Sequence, residues 1–187
     1  MQVLEDRTIH DETLELGPEE RHVLGPGLVL NNCNLILRQK TWRTFQSSGA
    51  TFVGCKITCL DELFQCRSWT TSRVEGCRFS GGFPDNEFGA EEPGGLGWIE
   101  RCDFSDAHIA GSRFFAGDIG SLRLPRWPCI GILDPATATE RWGDVTWPGT
   151  LSEWATWLDQ SHPTLRLQIE DADELVANEQ VNSRTLF

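Results

Sequence analysis

One hydrophobic pattern recurs along the chain: an apolar residue, two others, a small residue, any residue, and an apolar residue again. It is written Leu30-Asn31-Asn32-Cys33-Asn34-Leu35, Phe52-Val53-Gly54-Cys55-Lys56-Ile57, Val74-Glu75-Gly76-Cys77-Arg78-Phe79 and Ile99-Glu100-Arg101-Cys102-Asp103-Phe104, its cysteines 22, 22 and 25 residues apart. A weaker copy, Leu63-Phe64-Gln65-Cys66-Arg67-Ser68, falls half a period out of step and belongs to another face of the same coil. From Cys102 to Arg126 the period tightens to five, over five successive units. Large apolar residues take the centre of each unit and mostly small ones sit two before, so both point inward, while Asp103, His108, Arg113, Asp118 and Arg123 point to water. A single short coil cannot bury its own apolar face, so the pattern predicts about five stacked coils whose equivalent side chains form ladders about 4.8 Å apart.

The unit of small residue, polar residue, Leu or Phe and two variable positions resembles the pentapeptide-repeat family, cleanly over 102–126 and partially at 28–37, 50–59 and 72–81. The 22-residue spacing, where that family would use 20, makes a right-handed parallel β-helix an equally good description. The expected fold is therefore mainly β: a right-handed parallel β-helix, pentapeptide-repeat-like, over residues 1–133, with a small C-terminal α/β appendage over 134–187. Solenoid ends expose unpaired strand edges, which gives the acidic N-terminal coil and the appendage a duty as caps. Thr13-Leu14-Glu15-Leu16 and Leu28-Val29-Leu30 alternate as strands of the first coil, between Gly-Pro turns. In the appendage, Thr150-Leu151-Ser152-Glu153 is a capping box that opens a helix with Leu151, Trp154, Ala155 and Leu158 on one face. Leu165, Leu167 and Ile169 alternate as a strand, and Asp171 to Gln180 is an acidic helix candidate.

Composition narrows the function classes. With 187 residues, 39% of them apolar, the chain supports one continuous core. Its 28 acids against 16 bases give a formal charge of −12, a field that repels nucleic acid and favours basic partners. The ends carry that charge: residues 1–32 hold seven acids and two bases, 134–187 ten and three, and the middle eleven of each. No stretch has the run of about 20 apolar residues that a membrane span needs, and the start lacks the pattern of a signal peptide. The expected compartment is the cytoplasm, with the seven cysteines reduced.

Candidate chemistry is sparse. Cys33, Cys55, Cys77 and Cys102, stacked in a line, cannot converge tetrahedrally on zinc and are expected as a buried ladder. Cys59, Cys66 and Cys129 lie off that ladder and lack metal-knuckle spacing. His108 is expected outside, near Asp103 and Asp106. Asp85, Glu87, Glu91 and Glu92 fall in the longest insertion, Gly81–Gly97, whose glycines and prolines mark an irregular loop. Paired-carboxylate catalysis needs such groups on rigid elements, so no enzyme, cofactor or metal is expected. Outward Lys56, Arg67, Arg73, Arg78 and Arg101 balance neighbouring acids.

What remains is a rigid acidic body suited to contact. The expected binding residues are Asp85, Glu87, Glu91 and Glu92 in the insertion and Trp147, Trp154 and Trp157 in the appendage, since tryptophan dominates many interfaces. Solenoids of this size resemble some bacterial immunity proteins of polymorphic toxin systems. That resemblance implies a non-enzymatic protein that neutralises a cognate toxin with a basic surface, with homodimerisation open. A DNA-mimic acting on DNA gyrase is the alternative, weakened by the neutral middle. A carbohydrate-active β-helix is a third, which would line acids and arginines along one groove.

Overall fold

Short apolar segments bounded by turn residues pair with their equivalents one coil away, always in parallel within the stacked coils. In the computed structural model, which describes residues 1–39, 43–143, 145–147, 149 and 151–177, the first coil holds β1 (Gln2–Leu4), β2 (Thr8–His10) and β3 (Thr13–Leu16). The second holds β4 (His22–Leu24), β5 (Val29–Asn31) and β6 (Asn34–Leu37), and the third β7 (Phe45–Gln46), β8 (Thr51–Val53) and β9 (Lys56–Glu62). The fourth keeps β10 (Arg73–Glu75) and β11 (Arg78–Gly82). Then come β12 (Glu87–Phe88), β13 (Trp98–Glu100) and β14 (Asp103–His108), followed by β15 (Arg113–Phe114) and β16 (Gly117–Asp118). Stacking gives a three-stranded sheet β1-β4-β7, a six-stranded sheet β2-β5-β8-β10-β13-β16 and a five-stranded sheet β3-β6-β9-β11-β14. The fold is a parallel β-solenoid.

The four cysteines occupy one corner of it. Each precedes a registered residue of the five-stranded sheet, Asn34, Lys56, Arg78 and Asp103, and all four are buried. The corner demands a left-handed backbone just before each thiol, supplied by Asn32, Gly54, Gly76 and Arg101. The thiols bond the backbone: Cys55 Sγ donates to the Leu30 carbonyl at 3.3 Å, and the Cys55 N–H donates to Cys77 Sγ at 3.3 Å. Aromatic rings fill the column, with Phe79 on Phe104 at 4.4 Å and Phe88 on Phe114 at 4.9 Å between centroids. Over the period-five segment Cys102, Phe104, Ala107, Ile109, Ser112 and Phe114 are buried in alternation, and Asp103 bridges Arg123, 20 residues on.

Past the solenoid, β17 (Cys129–Leu133) and β18 (Leu167–Asp171) pair antiparallel, and β18 also pairs antiparallel with β15, giving the mixed sheet β12-β15-β18-β17. This hairpin joins residues on either side of position 134 and seals the last coil. Between its strands lie α1 (Ala138–Trp142) and α2 (Leu151–Asp159), with Ala155 and Leu158 buried. Thr150, the expected cap of α2, lies outside the described residues, and the acidic helix expected from Asp171 is helical over 172–177, with 178–180 outside them. At the other end β1, β2 and β3 terminate their sheets; they are short, with exposed Glu15 on β3 and exposed Glu5, Asp6, Asp11 and Glu12 in the turns between them, charges that discourage edge pairing. No helix among the described residues is long and apolar enough to cross a membrane.

The insertion Gly81–Gly97 differs from the expected irregular loop. Apart from the half-buried Asp85, residues 82–90 are buried and carry β12; the exposed residues are Gly81 and 91–96. The reason is Phe83, Asn86 and Phe88 turning inward. Asn86 Nδ2 donates to the Leu63 and Pro84 carbonyls at 2.6 and 2.8 Å, and Asn86 Oδ1 accepts from Trp69 Nε1 at 3.0 Å.

Candidate functional site

The sheet β1-β4-β7 stops at the third coil, and its face resumes as a strand only at β12. In between, the fourth coil contributes a 3-10 turn, Ser68–Thr71. The cause is Trp69, which is fully buried against Phe45, Phe52, Phe79 and Phe88 at 5.2–6.0 Å between centroids. The backbone coils around this buried indole, and Arg67 stands at the rim, its side chain 73% exposed. The break opens a cleft of about 620 Å³ between Phe45, Gln46 and Ser48 on one side and Asp85, Glu87 and Arg113 on the other.

The floor of the cleft is an ion triad. Glu87, 5% exposed at its side chain, accepts a hydrogen bond from Arg113 Nη2 on Oε1 and forms an ion pair through Oε2 with Arg67 Nε at 3.0 Å. Glu87 and Arg113 are register partners on β12 and β15, so the strands themselves set this pair. Both carboxylate oxygens are engaged, while each guanidinium has more N–H groups than these bonds use. Burial pushes the Asp85 carboxyl up from its ordinary value, and Arg113 opposes that rise. The triad also lines a second hollow of about 150 Å³ that continues toward Glu91, Phe115, Trp157 and His162. His162 Nδ1 and Thr164 Oγ1 lie 2.6 Å apart, and Thr164 Oγ1 donates to the Glu91 carbonyl at 2.7 Å, which ties the appendage to the insertion.

Of the sequence-derived candidates, Asp85, Glu87, Glu91 and Trp157 therefore come together along one groove. Trp157 is 46% exposed, an aromatic surface at the rim. Glu92 is exposed beyond it. Trp147 and Trp154 go elsewhere: with Trp142 they form a mutual cluster at 5.2–6.1 Å, and Trp154 Nε1 donates to Glu170 Oε1 at 3.3 Å. These two tryptophans are half-buried in the appendage. Sequence reasoning assigned Arg67 to charge balance and placed Arg113 merely outward; their separation of 20 and 26 residues from Glu87, near one coil, is the signal that brings them to it.

His108 also finds partners other than the expected Asp103 and Asp106. Its Nε2 lies 3.4 Å from Glu174 Oε1 and its Nδ1 4.0 Å from Glu62 Oε1. Asp106 is drawn to Arg78, and Asp103 is held below the usual carboxylate range by the Ser105 hydroxyl and N–H.

No family model, no curated protein and no solved structure matches this chain.

Proposed function

We propose that the chain works by binding another protein, as a bacterial immunity protein that neutralises a cognate toxin of basic surface. The observation that supports this reading best is the groove, where two arginines, a buried glutamate and an exposed tryptophan from separate coils and the appendage converge on a rigid face. Arginine and tryptophan are the residues that most often carry interface energy, and a groove fixed by strand register loses little entropy on binding. The two charge scales have separate roles. The net −12 steers a basic partner at long range, while the unused N–H groups of Arg67 and Arg113 fix its register through an acceptor on the partner. The 20-residue step from Asp103 to Arg123 favours kinship with pentapeptide-repeat proteins in the last coil.

The test is coexpression with secreted toxins encoded beside this chain's gene. Rescue by the wild type, lost with Arg67→Ala or Trp157→Ala together with at least about a 10-fold weaker binding to the purified toxin, is the expected result. Failure to rescue cells from any neighbouring toxin removes the reading.

The same groove favours one second reading. Acids and arginines lining a cleft beside an exposed tryptophan also suit an acidic oligosaccharide, with guanidiniums on its carboxylates and the indole under a ring. Saturable quenching of tryptophan fluorescence by oligouronates, absent in Trp157→Ala, would favour it over a protein partner.

A further inference from the structure

On the side of the molecule where β14 meets the terminal hairpin, three potential ligands converge from three elements. His108 ends β14, Asp171 ends β18, and Glu174 lies in the helical turn that follows. One donor atom from each lies within 4.8 Å of the others. The carboxylate of Asp171 is already oriented: its Oδ1 accepts the backbone N–H groups of Asp173 at 2.9 Å and Glu174 at 3.1 Å. Behind the imidazole, Glu62 Oε1 lies 4.0 Å from Nδ1, on the side away from Glu174. Metal-bound histidines commonly direct the second ring nitrogen at a carboxylate, and Glu62 stands near that place, 4.0 Å from Nδ1 and without a hydrogen bond to it.

His108 and Asp171 both line a hollow of about 250 Å³, so water has room to complete a coordination shell. The charge balance points the same way. Glu62, Asp171 and Glu174 surround a single imidazole, Glu170 lines the same hollow with Arg126 as the base that lines it, and Asp106 there is paired with Arg78. From these contacts we infer that His108, Asp171 and Glu174 form a site for a zinc-class divalent cation, which pins the end of β18 and the following turn to the solenoid. One imidazole nitrogen with two carboxylates selects borderline transition cations over Mg²⁺ and Ca²⁺, which take oxygen ligands. The thiol of Cys129, register partner of Asp171, is not among the converging donors. This site is independent of the groove and of any partner.

The experiment is isothermal titration of the full, tag-free, reduced chain with ZnCl₂, beside MgCl₂ and CaCl₂, together with thermal unfolding at each ion. The site predicts one Zn²⁺ per chain, a rise in unfolding temperature of several degrees at saturation, and no matching response to Mg²⁺ or Ca²⁺ (about 4 °C for each tenfold or so of binding beyond saturation). His108→Ala and Glu174→Gln abolish both effects, Glu62→Gln weakens binding about 10-fold, and Cys129→Ser leaves it unchanged. All four positions are at the surface or half-exposed, and the circular dichroism of each variant without metal shows that it is folded. Absence of saturable Zn²⁺ binding overturns the proposal. So does Zn²⁺ binding that survives His108→Ala and Glu174→Gln or disappears in Cys129→Ser, either of which places the ion elsewhere.

Discussion

Glu87 faces Arg113 across adjacent parallel strands, and its buried carboxylate is shared between that guanidinium and Arg67. The partners are unequal. Arg113 is 30% exposed and Arg67 73%, so the inner pair resists solvent screening and the outer one does not. Glu87→Ala leaves a part-buried guanidinium without its partner and is expected to cost about 2–3 kcal/mol in urea unfolding, below the full cost of breaking a wholly buried pair. Arg67→Ala is expected to change stability by less than about 1 kcal/mol. Equal costs for the two variants would show that the triad does not anchor the face.

The cysteine ladder makes a prediction about access rather than acidity. A hydrogen bond from the Cys77 thiol draws Cys55 down to about 7, whereas Cys77 is pushed far up by its Cys102 and Cys55 neighbours and by burial. A thiol that acid would react quickly at neutral pH if reagent reached it, but Cys55 is 1% exposed. Native protein is therefore expected to label with a maleimide only at Cys129, the one cysteine that is not buried, and all seven label in concentrated guanidinium. Rapid native labelling of Cys55 would show that the corner opens readily.

Two glycines separate backbone strain from crowding. Gly76, at φ 61°, has nothing within 4 Å of where a Cβ would lie, so Gly76→Ala bears only the left-handed penalty of about 1–2 kcal/mol. Gly81, at φ 88°, lies against the carbonyl of Cys59, which an added Cβ would overlap. That neighbour is backbone of the adjacent strand and cannot swing away. Gly81→Ala is expected to cost at least about 2 kcal/mol more than Gly76→Ala, read from their urea midpoints.

The coil positions were legible because the small-x-apolar unit forces a residue inward or outward whatever its neighbours do. Cys33, Cys55, Cys77 and Cys102 line up, and Phe104, Ile109 and Phe114 are buried, for that reason alone. The groove was legible only in part. Asp85, Glu87, Glu91 and Trp157 stand out as charged or aromatic, but their meeting depends on Trp69 taking a core place and breaking one sheet, an event decided by packing across coils. The same limit hid the insertion's order: glycine and proline counts suggest a loop, while the amide of Asn86, bonded inside, holds it in the wall. His108 was placed outside correctly, yet its partners Glu62 and Glu174 come from another coil and from the appendage, at separations no period in the sequence encodes.

Asp85 carries a pH dependence of definite sign. Burial raises its carboxyl above the ordinary 3.8 in the folded state, more than the nearby Arg113 lowers it. Between 3.8 and that raised value the folded chain holds a proton that the unfolded chain has released, so this group's contribution to stability falls as pH rises through the window and is constant above it. Asp85→Asn has no such proton. It should match the wild type below the window and exceed it at neutral pH, by a small margin because the side chain is only half-buried. Urea unfolding of both proteins between about pH 3.5 and pH 7.5 measures the difference. A variant that instead becomes relatively less stable as pH rises would mean that attraction to Arg113 outweighs burial, and the cleft would then hold a charged Asp85 as a second arginine partner beside Glu87.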